Sequence, residues 1–164
     1  MEYKGYEDKD LITELPEWKK LNGKDFSIED WLGFHGSPEL TIAYSSVYCP
    51  DFEEALGGIF EKDCYRPDNL IDYVDKNFDG DLVSYQSFAN CRDIIYLLRQ
   101  TCEISANATQ VEFLGNLLER IWGYQLKAEF PHLNTAVKYC GLDVNSLEEA
   151  NITFWVEPKI KEQE

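Results

Sequence analysis

Basic side chains are scarce in this sequence of 164 residues. Fifteen lysines and arginines stand against 31 aspartates and glutamates, which leaves a formal net charge of −16 at pH 7. A chain with this balance repels polyanions and anionic lipids, so we expect no direct binding to nucleic acid or to a membrane. The same charge attracts cations and basic proteins. Acidity also serves solubility alone, so it does not assign a function by itself.

The cysteines form no pattern that binds metal or builds a disulfide framework. They are odd in number, widely spaced and without a Cys-x-x-Cys pair: Cys49, Cys64, Cys91, Cys102 and Cys140. No apolar run approaches the ~20 residues of a membrane span. Residues 1–10 carry charge and lack the apolar core of a signal peptide. We therefore expect a cytoplasmic protein with reduced cysteines.

Signatures of catalysis are also missing, and no catalytic residue is predicted. The sequence has two histidines, His35 and His132, and each lies at a predicted helix end without a local nucleophile motif. Gly57-Gly58 lacks the Gly-Lys-Ser/Thr ending of a phosphate loop. An enzyme whose site assembles from distant residues stays open as an alternative.

Aromatic residues, in contrast, are abundant. Ten tyrosines, nine phenylalanines and four tryptophans make up 14% of the chain. This is more than a small core needs, so we expect some rings to lie partly exposed, where Tyr and Trp favour protein contacts.

The longest helical pattern runs from Asn107 to Phe130 (about 107–130). Asn107 followed by Gln110 predicts a capping box at its start, and Pro131 predicts its end. The apolar residues between them recur at helical spacing: Val111, Leu114, Leu118, Ile121 and Trp122. At about 35 Å such a helix spans the whole domain, so we expect most other apolar residues to pack on it.

Two strands are predicted near the end of the chain, at about 135–140 and 151–156. Shorter helices are predicted at about 10–15, 27–35, 37–49, 68–78 and 82–91, and a short strand at Ile59-Phe60 that could join the C-terminal strands. The predicted fold is α+β: a mostly helical body around one long helix with a small antiparallel sheet. We expect a single domain over 1–164, with loose ends at 1–8 and 158–164.

One stretch carries recognisable metal chemistry. Asp75, Asn77, Asp79, Gly80 and the Asp81 carbonyl follow the spacing of the first positions of an EF-hand calcium loop, which residues 75–86 resemble. The resemblance implies calcium ligands at these positions. The twelfth position, normally a bidentate glutamate, is Gln86, and no second loop is present for pairing. Asp, Asn and Gly also serve an ordinary turn between two helices, so calcium binding is an alternative and no cofactor is the main expectation.

The sequence therefore predicts a small acidic module that binds a basic protein partner. In composition and size it resembles immunity proteins, which inhibit toxins, although no motif carries that resemblance. The predicted partner-binding residues are acidic: Asp51, Glu53, Glu54, Asp72, Asp79 and Asp81. They would speed association with a cationic toxin or another cationic protein. A homodimer that buries the aromatic side chains is a further alternative.

Overall fold

The computed structural model describes residues 6–62, 69–98, 106–141 and 149–158. Within these ranges the helices are α1 (Asp8–Leu11), α2 (Leu15–Asn22), α3 (Ile28–His35), α4 (Pro38–Tyr48), α5 (Leu70–Phe78), α6 (Leu82–Ala89), α7 (Ile94–Leu98) and α8 (Ala108–Glu129). The strands are β1 (Phe52–Ala55), β2 (Gly58–Glu61), β3 (Arg92–Asp93), β4 (Thr135–Cys140) and β5 (Asn151–Val156). All strand pairs are antiparallel. The predicted α+β class is confirmed.

Helix α8 is the long helix that the sequence predicts. The Asn107 side chain accepts a hydrogen bond from the Gln110 N–H at 2.8 Å, and the Gln110 side chain accepts one from the Asn107 N–H at 2.9 Å. This reciprocal pair is the predicted capping box. The helix ends at Glu129, one residue before the Phe130 cap. One face is buried at helical spacing: Val111, Gly115, Leu118, Trp122 and Leu126.

The C-terminal sheet has the strand order β3-β5-β4. Strands β4 and β5 have the predicted bounds and pair along their whole length, with Val137 opposite Phe154. The prediction that Ile59-Phe60 could extend this sheet is wrong, because β3 is the third strand. Ile59 and Phe60 pair instead with β1, across a two-residue turn at Leu56 (φ 53°) and Gly57 (φ 81°). Two positive φ angles give the tight turn that closes a hairpin between neighbouring strands.

The main core lies between α8 and β5. The Trp122 ring packs edge-to-face on Phe154 at 5.9 Å, and Phe52 of the hairpin packs on the same Phe154 at 4.9 Å. A second cluster of buried residues lies between β2, α5 and α6 and consists of Phe60, Leu70, Val74 and Tyr85. The expectation that most apolar residues pack on the long helix therefore holds for the main core only.

Helix α6 and its C-terminal cap residue, Asn90, connect the hairpin to the C-terminal sheet through two buried amide side chains. The Gln86 oxygen accepts hydrogen bonds from the N–H of Ile59 at 2.9 Å and of Val156 at 3.1 Å. The Asn90 amide donates to the carbonyls of Ile59 at 2.9 Å and Phe154 at 3.0 Å. Since β2 and β5 belong to different sheets, these side chains satisfy backbone groups that a neighbouring strand would otherwise pair.

The N-terminal helices differ from the prediction at Pro16. The sequence predicts a helix at about 10–15 that stops before this proline, but Pro16 lies in the first turn of α2. A proline fits there because the first N–H groups of a helix have no intrahelical acceptor. The next two predicted helices are present as α3 and α4, and both have side-chain caps: Ser27 and Asp30 form a capping box, and Ser37 accepts from the Leu40 N–H.

The ends of the chain fall partly outside the described residues. Residues 1–5 and 159–164, predicted to be loose, lie outside them, as does residue 68, the start of the helix predicted at about 68–78. Of the remaining predicted tail, Asp8 begins α1, and the Tyr6 ring packs edge-to-face on Phe113 at 5.4 Å. Among the described helices, none combines the length and apolar character needed to cross a membrane.

Candidate interaction surface

The first group of predicted partner-binding residues lies at and along β1. Asp51 is exposed just before the strand, and its carboxylate lies 3.8 Å from the Lys62 ammonium. Glu54 is exposed and lies 2.9 Å from the His132 imidazole. Glu53 is half-buried. Two carboxylates of this group therefore face solvent, and each is paired with one cationic or hydrogen-bonding side chain among the described residues. Ion pairs between such exposed groups are weak and exchangeable.

The second group lies on α5 and on the turn that follows. Asp72 is in the first turn of α5, where its carboxylate accepts a hydrogen bond from the Asn69 amide. Asp79 ends the helix in the left-handed conformation (φ 51°). Helix α6 packs on both α5 and β2, and the two groups lie on different elements of the fold. The structure thus divides the predicted steering residues into two sets.

Asp81, in the second group, stabilises the start of α6. Its carboxylate caps α6, accepting from the N–H groups of Val83 at 3.0 Å and Ser84 at 3.1 Å and from the Ser84 hydroxyl at 2.5 Å. These hydrogen bonds, the Ser84 hydroxyl first, hold the pKa of Asp81 below its usual value. Asp81 is exposed and charged, and its oxygens are engaged by its own helix.

The stretch that resembles a calcium loop is mostly helical. Asp75 and Asn77 belong to α5, and α6 begins at Leu82, so residues 79–81 alone separate the helices. An EF-hand loop holds its ligands on twelve consecutive residues. The Asn77 amide donates to the Tyr73 carbonyl at 2.9 Å, and the Asp81 carbonyl accepts from the Tyr85 N–H at 3.1 Å.

Gln86, the predicted twelfth ligand, is 1% exposed, and its oxygen already accepts the two backbone hydrogen bonds described above. Within the described ranges, no group of three or more His, Cys, Asp or Glu side chains is arranged to hold a metal ion. Calcium binding at residues 75–86 stays a prediction, and an ion there would compete with two strands for the Gln86 oxygen.

Exposed apolar side chains concentrate on the N-terminal helices. Neither α3 nor α4 has a buried residue. The Phe34 ring is 66% exposed and lies 5.1 Å from the Trp18 ring, and the Trp31 ring stacks on His35 at 4.4 Å. The exposed side chains of these two helices include Leu32, Phe34, Leu40, Ile42 and Tyr44. The predicted exposure of aromatic side chains is therefore confirmed.

A cleft of about 440 Å³ lies where the end of α4 meets the hairpin, α7 and α8. It falls within the roughly 300–1,000 Å³ range of ligand clefts. Its lining includes Ser46, Val47, Asp51, Glu61, Leu97 and Trp122. The Trp122 indole N–H donates to the Val47 carbonyl at 3.0 Å, and the Gln125 amide donates to the Pro50 carbonyl at 2.8 Å. These two bonds fasten the last turn of α4 and the chain that follows it to α8.

The two carboxylates that line the cleft within the described part of the chain differ in their surroundings. Glu61 is about one-quarter exposed and is paired with the Arg92 guanidinium at 2.9 and 3.0 Å. Asp51 is about four-fifths exposed and has the long, exposed contact with Lys62. Asp51 is therefore the more accessible of the two carboxylates for a ligand that enters the cleft.

Sequence comparison and fold comparison give no identification. Searches of protein-family models, of curated proteins and of solved structures found no match to this chain.

Asp51 is the one residue that both the sequence pattern and the cleft single out. No sequence pattern indicated the cleft as a whole, because its lining residues come from helices and strands far apart in the chain. The absence of charged residues between Leu40 and Pro50 is the local sequence feature that could have singled out α4.

Proposed function

We propose that this chain is a protein-binding module that captures a basic protein. The observation that carries this proposal is the uncovered apolar surface of α3 and α4 on a molecule of charge −16. An apolar helix face normally packs against the core. Exposed apolar patches mark interaction sites, and aromatic side chains in them supply much of the binding energy.

Charge decides which kind of partner fits best. Two copies of this chain would bring together net charges of −16 and −16, so electrostatics opposes a homodimer. A basic protein gains from the same field, because opposite charges speed the diffusional encounter. The exposed carboxylates Asp51 and Glu54 are candidates for that role, while apolar residues such as Phe34 and Ile42 would provide short-range contact.

An immunity-type inhibitor that neutralises a cationic toxin is the biological setting that this chemistry suits. Such an inhibitor needs fast association, which the acidic surface supplies, and slow dissociation, which buried aromatic contacts supply. It needs no cofactor and no catalytic group. This setting rests on charge, size and exposed side chains, since no relative identifies it.

The first test is capture followed by measurement on the purified partner. The immobilised chain is incubated with extract of the cells that produce it, the retained protein is identified and purified, and binding kinetics are recorded at 50 and 300 mM salt. We expect a basic partner whose association rate falls with salt while its dissociation rate changes little. An affinity independent of ionic strength would remove the electrostatic part of the proposal.

Matched variants locate the contact. Replacing Asp51 and Glu54 by lysine should lower the association rate more than the same replacement at Glu14 and Asp25, which are also exposed and give the same change in net charge. Replacing Phe34 by serine should mainly raise the dissociation rate. Equal effects of the two double charge reversals would mean that net charge alone attracts the partner.

The homodimer alternative is tested by the mass in solution. Light scattering coupled to size exclusion, run at low and high salt, should give the monomer mass at low salt. A dimer mass that persists at low salt and is lost on Phe34→Ser or Ile42→Ser would favour a scaffold in which a second copy covers α3 and α4.

A further inference from the structure

We infer that the cleft beside Asp51 receives one cationic side chain, arginine or lysine, from the basic partner. This inference rests on the proposed function and adds the point at which the partner is recognised. It starts from the lining of the cleft, which combines apolar walls with carboxylates.

The apolar part of the lining suits the stem of a long basic side chain. Val47, Leu97 and Trp122 line the cleft, and Arg and Lys lay their methylene groups along such surface while the charged head stays near polar groups. By helical spacing, Ile42 lies on the same side of α4 as the lining residues Ser45 and Ser46. Ile42 is 71% exposed, so it continues the apolar wall outside the cleft.

Among the described residues that line the cleft, Asp51 is the carboxylate available to the charged head. Glu61 is held by Arg92, which also donates to the carbonyls of Ala89 and Cys91. That guanidinium is fixed by four contacts and stays in place. Asp51 has only the 3.8 Å contact with Lys62 among its described ion pairs, and both of those side chains are mostly exposed. A guanidinium or ammonium entering the cleft can replace Lys62 at small cost.

The Lys62 ammonium therefore competes with an incoming cation for the Asp51 carboxylate. The Lys62 N–H donates to the Asp51 carbonyl at 2.8 Å, which keeps the two residues side by side at the mouth of the hairpin. Removing the Lys62 charge should strengthen binding of a cation, whereas removing the Asp51 charge should weaken it. The two variants should therefore change the affinity of the cleft for a cation in opposite directions.

The probe is N-acetyl-arginine amide, with N-acetyl-citrulline amide as its neutral isostere and N-acetyl-lysine amide as the second cation. Each is titrated into ¹⁵N-labelled protein, and the Trp122 indole N–H and the backbone N–H groups of Ser46 and Asp51 are followed. We expect both cations to shift these signals and the citrulline compound to leave them unchanged. Shifts that are equal for citrulline, or absent from the cleft, would overturn the inference.

Variants give the second readout. Asp51→Asn should weaken the binding of the arginine compound about threefold, and Asp25→Asn, an equal charge change at an exposed site between α2 and α3, should not. Lys62→Gln should strengthen binding, while Lys127→Gln, two residues after Gln125 and so on the opposite side of α8, should have no effect. Equal responses within either pair would contradict a defined site and indicate general attraction to an acidic protein.

This experiment needs no natural partner, so the two proposals can fail separately. If the cleft does not bind the cations but capture of a basic protein stays salt-dependent, the proposed function is retained and the partner is recognised at another site. If the cleft binds the cations but no basic protein is captured at low salt, the proposed function falls.

Discussion

Gly58 and the Gln86 side chain lie so close together that residue 58 has no room for a Cβ atom. An ideal Cβ at this position would lie 2.8 Å from Cδ and 2.9 Å from Oε1 of Gln86. This approach lets the Gln86 oxygen reach the Ile59 N–H in β2 while it also accepts from the Val156 N–H in β5. One buried amide thereby joins the hairpin to the C-terminal sheet.

Replacing Gln86 by alanine should destabilise the fold by about 2 kcal/mol or more, because two backbone N–H groups lose their acceptor in a buried place. Gly58→Ala should also destabilise, since the new methyl group displaces the Gln86 side chain. The midpoint of urea unfolding measures both. In the double variant the methyl group has room, so Gly58→Ala should cost less in the Gln86→Ala background than in the parent. Additive costs would mean that the two residues do not interact.

Two glycines of α8 provide a matched pair with opposite expected signs. A Cβ at residue 115 would lie 2.3 Å from the Tyr139 ring, whereas a Cβ at residue 123 would meet nothing within 4 Å. Gly123→Ala should stabilise the helix by up to about 1 kcal/mol, the usual difference in helix propensity. Gly115→Ala should destabilise the protein by about 1–3 kcal/mol because the methyl group overpacks the helix–sheet contact. Thermal unfolding of both variants tests this, and a higher melting temperature for both would show that the Tyr139 ring moves aside without cost.

The features predicted correctly are those whose causes are local. The capping box of α8 lies within four residues, and the β4 and β5 patterns lie within six each, so neighbouring residues alone define them. Gln86 shows why other features were missed. Its hydrogen-bond partners Ile59 and Val156 are 27 and 70 residues away in sequence. In the one-dimensional sequence it fell at the twelfth position of a calcium motif, while in three dimensions it satisfies two strands.

The cleft, like the Gln86 contacts, is built from residues that are far apart in the sequence. Asp51 was predicted as a partner-binding residue from its charge, and it lies in the cleft lining. Trp122, which also lines the cleft, was predicted only as a member of the long helix. A cavity depends on where several segments meet, so its presence could not be read from any one of them.

Low pH should destabilise the fold in part by protonating Asp81, the N-terminal cap of α6. Hydrogen bonds from Ser84 and Val83 lower the folded-state pKa of Asp81, so the charged carboxylate stabilises the fold above the unfolded pKa of about 3.9. That contribution is lost as the pH falls through the lower folded pKa. In Asp81→Asn, which keeps a capping oxygen, the melting temperature should therefore fall less between pH 5 and pH 2 than in the parent. Carboxyl NMR titration measures the pKa directly, and an equal loss of stability in both proteins would contradict this assignment.

Calcium should leave the stability of the protein unchanged. Residues 79–81 are too short a connection to gather the ligands of a calcium loop, and the Gln86 oxygen is already engaged. The measurement is a thermal melt in excess EDTA and then in millimolar calcium, with magnesium as the control. A ligand at 100 times its dissociation constant would stabilise the native state by about 2.7 kcal/mol, which is several degrees in melting temperature. A calcium-specific rise of that size, lost on Asp75→Ala, would restore the calcium-binding alternative and would require the α5–α6 connection to open when the ion binds.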